Sequence, residues 1–431
     1  MHAQRPGPVD FLARKGSVLA AFVAMHVLFL LLLTPRIAAG ETYGDVSLYR
    51  DWAFLGLNEG TWQGVDVPWV YPIAAMFPTL AATVFGPGQY MLGWFLLCTV
   101  LNLGAVAALL TPPAVKFGWQ AAYLWIALTA VLGPLSFSRV DGISAPIVVV
   151  GLVLAASHPA TASAVLSVAT WIKVWPAAVV LALVLSSRAW LRVVVAGAAV
   201  SAFMVAGVLA GGGAGNLLGF IQAQGERGMQ LEAPLTTPGL WQAVLGLGTV
   251  VHPNFAIVTM EIRGAMADQV GALMNPLLAV SLVLIAVLIL AAVRRGAPRE
   301  EILMVGALAL VCAMIVFNKV GSPQFMLWLV AVVSVGVAMN GRKWTVPAIA
   351  ITAISVLTTL VYPLLYMQVI TALNPGAALL LTVRNALLIV VLCWAVVALT
   401  RMARPLQKGR RSQLVTAEPG PDQHLVAPSN R

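Results

Sequence analysis

Residues 17–35, 90–111 and 345–366 contain no Asp, Glu, Lys or Arg. Apolar runs of this kind recur along the chain, each near the roughly 20 residues that a helix needs to cross a hydrocarbon core. In water they would have to be hidden, and the chain lacks the polar residues to hide them. Only 9% of its 431 residues are charged, 60% are hydrophobic, and the mean hydropathy is +0.93. An ordinary soluble domain carries about 25% charge. A soluble enzyme, a DNA-binding protein and a disordered scaffold are excluded, and nucleic acid is not an expected partner. The chain reads as an all-α polytopic membrane protein that keeps its first helix. Spans are expected near 17–35, 70–87, 90–111, 118–133, 143–157, 160–186, 190–211, 270–293, 301–317, 323–340, 345–366 and 376–400.

The scarce charges divide by sign. Arg188 with Arg192, Arg294 and Arg295 with Arg299, Arg342 with Lys343, and the group from Arg401 to Arg411 flank apolar runs. Twelve spans with the N-terminus inside put all of them on the cytoplasmic side, as the positive-inside rule requires. Lys116 is left outside as an exception. Glu41, Asp45, Asp51, Glu59 and Asp66 fall in one long outer loop, about 36–69, and Glu226, Glu232, Glu261 and Asp268 in or beside a second, about 212–269. Both loops contain stretches suited to interfacial helices. Residues 1–16 read as a basic cytoplasmic head, 17–400 as one transmembrane domain, and 401–431 as a polar, disordered tail. Cys98, Cys312 and Cys393 sit singly in apolar runs, no histidines have metal-ligand spacing, and no internal repeat is evident.

Ionisable groups inside apolar runs are costly, so they mark function by default. Lys173 in TWIKVWP reads as mid-span, Arg384 in LTVRNALLIV as nearer the outer end of the last span, and Lys319 in VFNKVGSPQF as the outer end of the ninth. Cations converging on one outer cavity make a phosphate site. Arg139 and Asp141 in SRVDG read as a pair at a span end. A carboxylate at the mouth of the bundle, with Glu41, Asp45 and Asp51 as candidates, suits a general base towards a hydroxyl.

Four fragments, in order, carry a family likeness: GDVSLYRDW with VYP, WIKVWP, ERGMQLEAP and FNKVGSPQFMLWL. Together they resemble the GT-C glycosyltransferases that use polyprenyl-phosphate sugars. The likeness covers about residues 15–400. It is nearest to glycosyltransferase family 87, which includes mycobacterial phosphatidylinositol mannoside mannosyltransferases. FNKV followed by Gln324, an aromatic residue and Trp328 is similar to the signature of the first GPI-anchor mannosyltransferase. Family 87 members often carry a histidine pair after the Ser-Pro where this chain has Gln324 and Phe325, so the likeness leans to the GPI type of site.

The resemblance implies a GT-C fold in the plasma membrane with an extracytoplasmic active site and inversion at the sugar carbon. The donor would be polyprenyl-phosphate mannose, with a polyprenyl-phosphate pentose such as arabinofuranose as the alternative, and the acceptor a glycolipid or cell-envelope glycan. A transporter or lipid flippase is the competing class. Asp45 matches the family's catalytic base. Lys319, Arg227, Arg384 and Lys173 become candidates for the donor phosphate. Gln230, Glu232, Ser322, Gln324, Asp51, Tyr71 and Trp69 become candidates for sugar or acceptor contacts, with Trp171 and Trp175 as further stacking candidates. The first loop has no clean DxD, so no metal and no cofactor is expected, and the transfer rate should be undiminished in EDTA.

Overall fold

A computed structural model describes residues 12–111, 115–225, 227–254 and 259–404. Glu226, most of the basic head and the tail beyond 404 therefore lie outside the described residues. The first apolar run is helix α1 (Lys15–Ala38). Its buried residues, Val18, Phe22, Met25, Phe29, Leu33 and Ile37, recur every three or four positions and form one inward stripe. Leu28, Leu31 and Leu32 face out. At 1.5 Å per residue α1 is about 36 Å long, enough to cross a core of about 30 Å.

After α1 come α2 (Val46–Glu59), a short helical segment, Ile73–Phe85, that contains α3 (Met76–Ala81), then α4 (Tyr90–Leu109), α5 (Gly118–Leu132), α6 (Asp141–Leu154), α7 (Pro159–Ile172), α8 (Pro176–Ser186) and α9 (Trp190–Ala210). The second long loop contains α10 (Gly219–Gly225), α11 (Thr237–Val244) and a hairpin of β1 (Val250–Asn254) and β2 (Thr259–Arg263). The chain ends with α12 (Ala265–Arg294), α13 (Arg299–Val316), α14 (Met326–Asn340), α15 (Thr345–Thr359), α16 (Tyr366–Ile370) and α17 (Pro375–Ala403). Asn374 caps α17 by accepting from the Gly376 and Ala377 N–H groups. Among the described residues, six helical stretches are long and apolar enough to cross a membrane: Lys15–Ala38, Pro87–Leu109, Trp190–Ala210, Ala265–Arg294, Pro323–Leu364 and Pro375–Ala403. The protein is thus an almost wholly helical polytopic membrane protein.

Helices α13 and α14 are buried on nearly every face and form the centre of the bundle. Their uniformly apolar sequences suit that position, since a helix that is hydrophobic all round must be covered all round. By contrast, α9 and α12 present mostly exposed apolar residues, as lipid-facing helices do.

Two expectations are corrected. The span over 160–186 is two helices, because Lys173 is extended (φ −149°, ψ 136°) and Pro176 starts α8. Proline lacks the N–H that a continuous helix would need there. Lys173 is consequently not mid-span but in the turn between α7 and α8. The span over 70–87 is only the short helical segment Ile73–Phe85, and it returns to the end it left: Gln89 donates to the Ile37 carbonyl (3.4 Å), while Tyr71 packs on Tyr49. Besides its short helices, the second loop carries two strands. Its β1–β2 hairpin pairs Val251 with Ile262 and His252 with Glu261.

These changes reassign the loops. The Lys116 N–H donates to the Ala338 carbonyl at 2.9 Å, Lys343 pairs with Glu301, and Arg299 Nη1 donates to the Ser186 carbonyl at 2.9 Å. Lys116 therefore sits at the basic end of the bundle rather than among the acids. The turns bearing Asp45, Asp141, Lys173 and Lys319 gather at the other end.

Candidate active site

Gly44 has φ +60°, and a side chain there would press on Ser138, so the turn before α2 requires glycine. Asp45 follows at the N-terminus of α2, yet its carboxylate caps no N–H of the helix. It pairs instead with Arg139, from the turn between α5 and α6; the Asp45 side chain is one quarter exposed. One helical turn beyond Asp45, the buried Tyr49 hydroxyl accepts from the Val140 N–H (3.2 Å) and meets the Tyr71 hydroxyl (3.4 Å). Tyr49 thus pins the turn that carries Arg139.

The same turn begins α6 with Asp141, whose side chain is 1% exposed. Asp141 Oδ1 accepts from Trp328 Nε1 (2.6 Å) and Oδ2 from Lys173 Nζ (3.3 Å). The Lys173 ammonium lies 4.7 Å from the Tyr71 ring centre, a cation–π distance. Trp175 stacks on Trp328 (5.4 Å, 7°), and Phe325 lies 4.1 Å beyond it. Arg139 and Asp141 are therefore not a pair with each other. Each takes a partner from another segment, giving two ion pairs in one turn.

A second group lies in the long loop. The Gln230 N–H donates to the Lys319 carbonyl (2.9 Å), its Oε1 accepts from the Gly321 N–H (3.3 Å), and Gln230 bridges to Glu261 of β2. Residues 229–231 are held between β2 and the turn 318–321. A Cβ on Gly321 would collide with the Glu232 and Ala233 backbone, so this approach requires glycine. Arg384 is buried in α17 and donates from Nη2 to the Glu232 carbonyl (2.9 Å), while its Nε and Nη1 have no hydrogen-bond partner among the described residues. Burial holds the Glu232 carboxyl above its ordinary pKa, offset in part by the Tyr366 hydroxyl and by Arg384. Burial likewise lowers the pKa of Arg227, against the nearby Tyr71 and Glu261. Glu261 is buried and accepts from Asn254 (2.8 Å).

Tyr71 is the centre at which Lys173 and Tyr49 meet, and Arg227 lies within its electrostatic reach. Trp52, Trp69 and Tyr71 form a mutually perpendicular ring group at 5.6–6.1 Å. The Tyr362 ring, beside Arg139, meets the Tyr366 ring at 5.1 Å, joining the two groups along the break between α15 and α16. A cavity of about 250 Å³ opens between Tyr43, Gly44, Ser138, Arg139 and Tyr362.

Of the residues expected at the site, Asp45, Lys173, Tyr71, Trp69, Trp175, Arg227, Gln230, Glu232 and Arg384 belong to these groups, and Lys319, Ser322 and Gln324 lie on the adjoining turn. Asp51 is exposed and pairs with Arg50 (3.3 Å), and Trp171 turns away to Ser201 of α9 (3.1 Å). Sequence reading missed Arg139 and Asp141 as site residues and gave no role to Trp328, Tyr49 or Glu261. A buried Lys173 without an acid three or four residues away was the available signal that a carboxylate must reach it from another helix. Among the described residues no three His, Cys, Asp or Glu side chains gather as a metal group. Comparison with protein families, with curated proteins and with solved structures finds no match for this chain.

Proposed function

We propose that this chain is an inverting glycosyltransferase of the GT-C type, moving mannose from polyprenyl-phosphate mannose to a glycolipid or envelope glycan on the extracytoplasmic side of the plasma membrane. The observation that carries the reading is convergence. GDVSLYRDW, WIKVWP, ERGMQLEAP and FNKVGSPQF are far apart in the chain, yet Asp45, Lys173, Arg227, Gln230 and Lys319 meet at one end of the bundle. With 160–186 divided in two and 70–87 returned to its starting end, the proposal counts twelve crossings: α1, α4 to α9, α12 to α15 and α17. The basic clusters, now with Lys116, then share the cytoplasmic side.

In this reading Asp45 accepts the proton of an acceptor hydroxyl. The hydroxyl oxygen bonds to the anomeric carbon as the bond to the lipid phosphate breaks on the opposite face. The electron pair leaves with the phosphate, so no general acid is needed. Lys173, Arg227 and Lys319 offset the phosphate charge where little water does so. Transfer of label from synthetic polyprenyl-phosphate mannose in membranes tests the reading. Replacing a general base costs on the order of 10²–10⁴ in rate, so Asp45→Asn should lose that much. Wild-type turnover in this variant would remove Asp45 as the base. Lys319→Ala should weaken donor use by about 1.5–3 kcal/mol, the worth of a charged hydrogen bond. Polyprenyl-phosphate arabinofuranose belongs in the same assay, and faster transfer from it would change the donor to a pentose.

A further inference from the structure

The cavity beside Asp45 has a composition unlike the rest of the site. Its volume of about 250 Å³ is that of some eight water molecules, enough for one sugar ring but not for a polyprenyl chain. Pro134, Leu135 and Pro363 give its lining apolar groups, Tyr43 and Tyr362 aromatic ones, and Ser138 and Arg139 hydrogen-bonding ones. Arg139 is the charged residue of the lining, and Asp45 already neutralises it. Arg36 lies 5.3 Å from the Tyr43 ring centre, but Glu41 pairs with it at 3.6 Å. Lys173 lies over the Tyr71 ring, and neither Lys173, Arg227 nor Tyr71 is part of the lining. Among the described residues that line the cavity, an anion would find only the Arg139 guanidinium, whose charge Asp45 already balances. Hydroxyls, a planar guanidinium and ring faces together suit the mixed polar and C–H surface of a carbohydrate.

We propose that this cavity seats the acceptor as an uncharged sugar, and that Arg139 is a positioning residue that holds the Asp45 carboxylate at its edge. The inference rests on the transferase reading and deepens it: the acceptor is a neutral glycan end, not a phosphorylated head group.

The test uses the detergent-solubilised full chain and saturation-transfer NMR with the methyl α-glycosides of mannose, glucose and galactose. At least one glycoside should bind, Leu135→Trp should abolish the signal by filling the cavity, and mannose 6-phosphate should not compete. Tyr362→Phe is the milder variant, and should weaken binding about tenfold or less, as expected for one hydrogen bond. In the transfer assay both substitutions should raise the acceptor KM and leave the donor KM unchanged. Arg139→Gln should lower kcat with the donor KM unchanged, and Arg139→Lys should restore part of it. Absence of glycoside binding, unchanged binding in both variants, competition by mannose 6-phosphate, or a rise in donor KM alone would overturn the inference. Glycoside binding that Leu135→Trp abolishes and Tyr362→Phe weakens, in a protein that transfers no sugar, would instead overturn the transferase reading and leave the cavity assignment standing.

Discussion

Asp141 keeps a carboxylate at 1% exposure by giving one oxygen to Trp328 and the other to Lys173. Removing one partner of a buried pair strands the other charge and costs about 3–5 kcal/mol, whereas removing both costs much less. Asp141→Asn and Lys173→Met should each lower the melting temperature of the solubilised protein strongly, and the double variant should recover a large part of the loss. Additive losses would show that the two groups do not act as a pair. Glu232 behaves differently, because burial raises its pKa in the folded chain. A raised carboxyl pKa contributes stability that is fully present below the unfolded value, about 4.3, and lost as pH rises through the folded value. The stability of wild type relative to Glu232→Gln should therefore fall as pH rises from about 4. A pH-independent difference would mean that Tyr366 and Arg384 cancel the effect of burial.

Glycine decides the behaviour of two elements. The turn 318–321 reaches the second loop only because Gly321 has no side chain against the Glu232 and Ala233 backbone. Gly321→Ala should separate the turn from residues 229–231 at a cost of about 1–3 kcal/mol, as overpacking does, and should impair transfer. Gly207 in α9 has open space around it, so Gly207→Ala should be neutral or stabilise by about 0.5–1 kcal/mol. Thermal unfolding of the two variants side by side checks the contrast. The break between α7 and α8 was legible in Pro176, since proline and a lysine three residues before it are poor continuations of a buried helix. The β1–β2 hairpin was harder to see. Its strands are short, and Gln230, the residue that bridges to β2, belongs to a distant part of the loop.

At the level of the molecule, the proposed arrangement of twelve crossings predicts that Lys116 and Asn58 face opposite sides of the membrane. Both are exposed. In a Cys393→Ser background, a membrane-impermeant thiol reagent added to intact cells should label Asn58→Cys and not Lys116→Cys. Outside labelling of Lys116→Cys would break the topology. The sequence by itself determined the solvent, the helical class, the segregation of the basic clusters to one end, and Asp45, Lys173 and Lys319 as ionisable residues of interest. Those follow from composition and local pattern, because a bilayer penalises every unpaired charge and unsatisfied backbone group. Only the tertiary structure decided who pairs with whom. Arg139 and Asp141 are near neighbours in sequence, yet they serve Asp45 and Lys173, which arrive from other segments. Long-range pairing depends on which helices pack together, and that is settled by the shape of the whole bundle rather than by any stretch of about twenty residues.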